Sequence, residues 1–166
     1  MSAFNVSFPL QVRESDGQYR DATQEEVIAV ARRVLGYRVR RGAALDSPKV
    51  VRDFLCLQLG DREHEVFAAL FVNAQNRLIA YKELFRGTLT QASVYPREMV
   101  KEALAANASA VVFVHNHPSG LPEPSAADQV LTLRLKEALE TVDVRVLDHF
   151  IVAGEATMSF AERGLL

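Results

Sequence analysis

Two short apolar runs, 66–72 (VFAALFV) and 109–114 (SAVVFV), constrain this 166-residue chain more than anything else in it. Both are too short for a buried helix and both are bounded by turn-forming residues, which is the signature of strands. Asn73-Ala74-Gln75-Asn76 supplies turn chemistry and Leu78–Phe85 is strand-like, so the first run is half of a β-hairpin. Helical patterns surround these runs. Thr23 as N-cap, with Glu26 three positions on, opens a helix with Val27, Ile28, Val30, Ala31, Val34 and Leu35 at helical spacing. Ser47, in the break Asp46-Ser47-Pro48, caps a second helix over Lys49–Gln58, where Val50, Val51, Phe54, Leu55 and Leu57 are apolar. Pro96 suits the first turn of a third over Arg97–Ala106, with Met99, Val100, Ala103 and Leu104 on one side and Asn107 as a stop signal. A fourth over Ala126–Thr141 turns Val130, Leu131, Leu135, Ala138, Leu139 and Val142 inward, and Val144–Val146 and Phe150–Ala153 follow as short strands. Strands interleaved with helices make an α/β domain, with a mixed sheet because hairpin and crossover connections both occur.

A length of 166 residues, about one typical domain of ~150, and 49% hydrophobic content fit a single core. Nineteen basic against twenty-one acidic side chains exclude a general polycation. The single cysteine, Cys56, excludes an internal disulfide and a thiolate zinc cage; it reads as a buried apolar filler, and a reducing, cytoplasmic setting is expected. No apolar run approaches the ~20 residues of a membrane span, so no membrane association is expected. Charge divides the chain into residues 1–45, a short helical extension rich in arginine, and residues 46–166, an acidic body. Arg32, Arg33, Arg38, Arg40 and Arg41 crowd ten residues without an acid, a set that can engage phosphates or simply complement a helix end.

The chemistry is concentrated after the second apolar strand. In His115-Asn116-His117 the two imidazoles are two residues apart on an extended chain and so project to one side. Pro118 and Gly120 reverse the chain, and the next helix carries Asp128 in its first turn, three residues after Ser125. Two imidazoles and a carboxylate suit Zn²⁺ and leave a fourth position for water, as catalytic zinc sites do. Ser125 to Asp128 is also a capping box that needs no metal.

Other zinc signatures fail on the letters. His64-Glu65-Val66-Phe67-Ala68 begins like a helical His-Glu-x-x-His motif but has Ala68 at the second histidine. Positions 119 and 120, Ser and Gly, break the metallo-β-lactamase pattern, and Cys56 alone cannot make a zinc deaminase. Hydrolysis by activated water also needs a general base, for which Glu65, just before VFAALFV, is the candidate, with Asp61 and Glu63 nearby. Asp148-His149 has two readings, a pair orienting a ligand and, preferred, a satisfied histidine near a sheet edge.

Glu65, His115-Asn116-His117-Pro118, Ser125 and Asp128 resemble the JAMM motif of JAB/MPN metalloproteases. Phe85-Arg86-Gly87-Thr88, Val94-Tyr95-Pro96-Arg97-Glu98, Ser119-Gly120, Pro124-Ser125 and Leu147-Asp148-His149 narrow the resemblance to the RadC family over roughly residues 50–166. The resemblance implies a curved mixed sheet flanked by helices, the JAB/MPN (cytidine-deaminase-like) fold. It implies zinc held by His115, His117 and Asp128, Glu65 as general acid/base, and Ser125 at the oxyanion or attacking water. The implied reaction is hydrolysis of an amide or isopeptide bond in a protein or peptide. Longer members carry a helix-hairpin-helix region whose pattern residues 1–45 lack, and the family bears a DNA-repair label. A second reading is therefore a DNA-associated accessory protein that docks through the arginine cluster and keeps a structural or vestigial zinc. A third is a metal-free scaffold, against which the intact His115, His117 and Asp128 argue.

Overall fold

The computed structural model describes residues 10–40, 48–87 and 94–166 of the chain. A small hairpin of β1 (Gln11–Arg13) and β2 (Tyr19–Asp21) leads into α1 (Gln24–Arg40) and α2 (Pro48–Leu59). Then come β3 (Val66–Val72), β4 (Leu78–Arg86), α3 (Pro96–Ala105), β5 (Ala110–Asn116), α4 (Ala126–Glu140), β6 (Arg145–Ala153) and β7 (Ala156–Ser159). The last five strands form one sheet in the order β4-β3-β5-β6-β7, with β5 and β6 parallel and the other neighbours antiparallel. This is the expected mixed α/β sheet with helices on its faces.

β3 and β5 lie inside the sheet and are buried at every residue, which accounts for their unbroken apolar sequences. Alternation sorts their side chains into two cores. On one face Val51, Phe54, Leu55 and Leu59 of α2 meet Ala68, Leu70, Val112, Val114, Phe150 and Val152. On the other, Met99 and Ala103 of α3 and Leu135 and Leu139 of α4 meet Phe67, Phe71, Val111 and Phe113. α1 lies against α2, where Arg32 Nε donates to the Leu57 carbonyl in the last turn of that helix at 2.6 Å.

Local signals are realised as read. The Thr23 hydroxyl accepts from Glu26 N–H while the Glu26 carboxylate accepts from Thr23 N–H, closing a capping box on α1. Asn73 Oδ1 accepts from the N–H groups of Gln75 and Arg77 and builds the β3–β4 turn. Pro96 stands in the first turn of α3, and Asn107, with φ at +50°, lies just past its end. Ser47 and Arg41 lie outside the described residues, as do the side chains of Val50, Arg38 and Arg40.

Several expectations are corrected. The two short closing strands are one strand, β6, because Leu147 forms a bulge that lets pairing with β5 continue through Asp148 and His149. β1, β2 and β7 are additional strands; β7 returns on β6 through a two-residue turn at Gly154-Glu155, with Gly154 at φ +60°. Val130 is 57% exposed, whereas Leu135 and Leu139 are buried as expected with Leu131 and Val142 packed against that core, and Asp128 and Thr132 join them on the buried face of α4. Val30, Val34 and Leu104 face outward as well, and Cys56 is half-buried with its Sγ 3.7 Å from the Glu155 carbonyl. Among the described residues no helix is long and apolar enough to cross a membrane.

The corrected stripe has a direct consequence. Leu135→Ala is expected to cost about 2–5 kcal/mol of unfolding free energy and Val130→Ser less than about 0.5 kcal/mol. Urea titrations of the two variants check this; equal losses would reject the stripe.

Candidate metal centre

The register of β5 places the ligands. Val111, Phe113 and His115 alternate onto the face covered by α3 and α4. His117, just past the strand, stays extended because its N–H donates to the Val152 carbonyl at 2.8 Å and prolongs the parallel ladder. Both imidazoles therefore leave the same face. The chain then reverses at Gly120, whose N–H donates to the His117 carbonyl at 3.1 Å and whose φ of +79° disfavours any residue with a Cβ. The loop is tied down from the C-terminal segment, where the Arg163 guanidinium grips the Glu123 carboxylate through two bonds of 2.6 and 3.0 Å.

α4 starts at the N-cap Ser125, whose Oγ accepts from Asp128 N–H at 3.1 Å. Asp128 Oδ2 in return accepts from Ser125 N–H at 2.7 Å and from its hydroxyl at 2.6 Å. The cap thus fixes the carboxylate, which points at the histidines. His115 Nε2 and His117 Nε2 are 2.9 Å apart; Asp128 Oδ1 is 3.3 Å from the first and Oδ2 is 3.7 Å from the second. Ligands of a tetrahedral ion with bonds of ~2.0–2.1 Å lie about 3.3 Å apart, so the triangle has the size a zinc-like ion requires. Its chemistry agrees. His117 Nδ1 lies 2.8 Å from the Leu121 carbonyl, which can only accept, so the imidazole proton is on Nδ1 and Nε2 offers a lone pair. The cluster of His115, His117 and Asp128 can hold a metal ion. His115 is fully buried and the Asp128 side chain nearly so, whereas the His117 side chain is 14% exposed, so solvent reaches the centre past His117.

Behind these side chains stands His149, for which the sequence favours a place near a sheet edge. It is fully buried in β6, with Nε2 2.8 Å from His115 Nδ1 and Nδ1 2.6 Å from Thr132 Oγ1. Its ring stacks on Phe160 with centroids 4.6 Å apart and meets Phe67 and Phe113 edge-on. Burial holds His115 down at about 4, with His117 adding to the shift and the Asp128 carboxylate opposing it. Burial likewise pushes His149 well below the ordinary histidine range, helped by the two neighbouring imidazoles. Asp148 serves elsewhere: its carboxylate accepts from His149 N–H, Ala161 N–H and the Ser159 hydroxyl and so anchors the C-terminal turn. Thr132 went unnoticed in the sequence; its signal was its place four residues after Asp128.

Glu65 is half-buried immediately before β3, and its carbonyl accepts from Gly87 N–H at 2.9 Å. Phe67 pairs opposite His115 in the antiparallel register, so Glu65, two residues earlier, comes level with His117, two residues later. Asn116 holds this approach: its Oδ1 accepts from Val66 N–H at 2.8 Å and its Nδ2 donates to the His64 carbonyl at 3.1 Å. Asp61 and Glu63 are exposed. Of the arginine cluster, Arg32 is engaged on Leu57 and Arg33 is exposed.

The model of the RadC-like JAB domain matches residues 45–165. A UPF0758 protein of Thiobacillus denitrificans is 59% identical over 150 residues, 90% of this chain and 67% of that relative. UPF0758 proteins of Leptothrix cholodnii and Methylibium petroleiphilum are 57% and 58% identical over the same length, 90% of this chain and 68% of each relative.

Two buried imidazoles held neutral make the metal-free protein sensitive to acid. Their folded-state values lie below the unfolded ~6.5, so the unfolded chain binds protons first, and stability present above pH ~6.5 is lost as pH falls towards about 4. Urea midpoints of chelator-treated protein are expected to be lower at pH 5.5 than at pH 7.5, reflecting an unfolding free energy reduced by up to about 1.4 kcal/mol per pH unit for each histidine. Equal midpoints would contradict the neutral pair.

Proposed function

The chain belongs to the RadC-like JAB domain family, and from that membership we propose that it is a cytoplasmic zinc-dependent hydrolase of the metalloprotease type, opening an amide or isopeptide bond in a protein or peptide. The observation that carries the proposal is the convergence of His115 Nε2, His117 Nε2 and the Asp128 carboxylate within tetrahedral-ligand distances, on a side reached by solvent. Two imidazoles with one carboxylate favour zinc over magnesium or calcium, which prefer all-oxygen sets. Three protein ligands leave one position open, the mark of a catalytic rather than a structural site. Zinc held there supplies a Lewis acid for the carbonyl and lowers the pKa of water to about 7.

The residues of the chain do the remainder. Continuing the alternation of β3 back from Phe67 supports Glu65 on the face of His115 and His117. Glu65 takes a proton from the attacking water and returns it to the leaving nitrogen, so the C–N bond breaks to a carboxylate and an amine. Ser125, whose hydroxyl proton rests on Asp128 Oδ2, turns it to the oxyanion as charge develops there. A hydroxyl already placed by a helix cap needs little reorganisation for this.

Elemental analysis of chelator-rinsed, zinc-reconstituted protein beside Asp128→Ala is the test. The expected result is close to one zinc per chain, lost in the variant while its circular dichroism persists. Glu65→Gln is expected to keep the zinc and lose about 10²–10⁴-fold in turnover on a peptide-bond substrate found by screening. A wild-type chain that takes up no metal would sink the proposal, and steeply salt-dependent duplex binding by that chain would point to the accessory-protein reading.

A further inference from the structure

His149 lies among three phenyl rings with no access to water, so both of its nitrogens need protein partners. They have them in a continuous run: Asp128 carbonyl to Thr132 Oγ1 at 2.6 Å, Thr132 Oγ1 to His149 Nδ1 at 2.6 Å, His149 Nε2 to His115 Nδ1 at 2.8 Å. The direction of every proton follows from the first link. A carbonyl only accepts, so the single hydroxyl proton of Thr132 is donated to Asp128. Thr132 Oγ1 can then only accept from His149, which places the one N–H of that neutral ring on Nδ1. Its Nε2 is left to accept from His115 Nδ1–H, and His115 Nε2, facing Asp128 and His117, carries no proton. The reversed run would leave Thr132 Oγ1 and the Asp128 carbonyl oxygen 2.6 Å apart, buried, with no hydrogen between them.

We propose that Thr132 and His149 are positioning residues that set the tautomer of His115 at a distance, keeping its Nε2 bare for a metal ion. The inference rests on the metal-centre reading and adds to it a device that operates before any ion arrives. Without such a run the Asp128 carboxylate, 3.3 Å from His115 Nε2, would draw the ring proton to that nitrogen. The device also closes on itself. Asp128 presents its carboxylate to His115 Nε2 and, through its own carbonyl, anchors the run that reaches His115 Nδ1. One residue of α4 thereby constrains a ligand on β5 from both ends of its ring, with β6 supplying the middle link.

The test is imidazole ¹⁵N NMR of the metal-free wild-type protein, Thr132→Val and Thr132→Ser, paired with zinc affinity from chelator competition. In the wild type both His115 and His149 are expected as Nδ1–H tautomers. Thr132→Val keeps the shape but removes the acceptor for His149 Nδ1–H, so both rings are expected to switch to Nε2–H and zinc affinity to fall about 10–100-fold. Thr132→Ser restores the hydroxyl and is expected to keep the wild-type tautomers with affinity close to wild type. A proton on His115 Nε2 in the metal-free wild type overturns the proposal, and that spectrum decides the matter even if Thr132→Val does not fold. Weaker binding in Thr132→Val without a change of tautomer also overturns it, because a packing defect alone would do that. Nδ1–H tautomers in a wild type that binds no zinc would uphold the run while removing the hydrolase reading.

Discussion

Side chains alternate across a strand, so the parity of a residue decides which layer of the molecule it meets. In β6, Val146 packs in the α3–α4 layer and Leu147 towards α2, and strict alternation from there would carry His149 into the α2 layer. Register shows otherwise: Val111 pairs with Val146 but Val112 pairs with Asp148, so Leu147 is an extra residue. The bulge resets parity. His149 comes to the α4 layer beside Phe113, and Phe150 and Val152 fall to the α2 core, where they are buried. A one-residue slip reverses every later side chain of a strand, so the inner half of the metal centre depends on this single insertion.

Stability and site geometry meet in Asp128. A buried carboxylate is expensive unless it is hydrogen-bonded, and here the N-cap supplies an N–H and a hydroxyl to Oδ2. A serine N-cap alone contributes about 1 kcal/mol, which is small against the cost of an unpaired buried charge. The capping box is therefore not an alternative to the metal site, as the sequence pattern first allows. It is the means by which a buried carboxylate is hydrogen-bonded and oriented towards the two imidazoles. The remaining oxygen, Oδ1, faces His115 Nε2 at 3.3 Å, where a cation held between them would engage both lone pairs.

How far the sequence could be read follows from which interactions are local. Capping boxes at Thr23 and Ser125, the proline of α3, the Asn73 turn and the two apolar strands are each decided by a few neighbouring residues, and each was readable. The pairing of His115 with His117 was readable for the same reason, since a period of two is local. His149 was not, because the polar pair Asp148-His149 inside an apolar strand looks like a break, and only the ladder to β5 shows a bulge at Leu147. Thr132 was hidden by hydropathy, which favours Val130 for an inward position, although the helical stripe from Asp128 passes through Thr132. Arg32 reads as a free cation until the Leu57 carbonyl, 25 residues away, is placed beside it. Glu65 is the candidate base from its place just before the apolar strand, but Asp61 and Glu63 are equally acidic neighbours; strand register sets its backbone level with His117.

The residue between the two ligands follows from the same alternation. If His115 and His117 share a face, Asn116 must point away from it, and it is nearly fully buried. Its amide finds its partners on the neighbouring chain segment: Val66 N–H on one side of Glu65, the His64 carbonyl on the other, and the Arg62 carbonyl at 3.4 Å. A hydrophobic residue there would strand these backbone groups, and a serine would be too short to span them. The tripeptide therefore does two things that depend on one another. Its outer members build the candidate metal centre, and its middle member fixes the height of the strand that brings Glu65 level with that centre, so the spacing between the candidate ligands and the candidate base is set by hydrogen bonds to the backbone and not by the mobility of a loop.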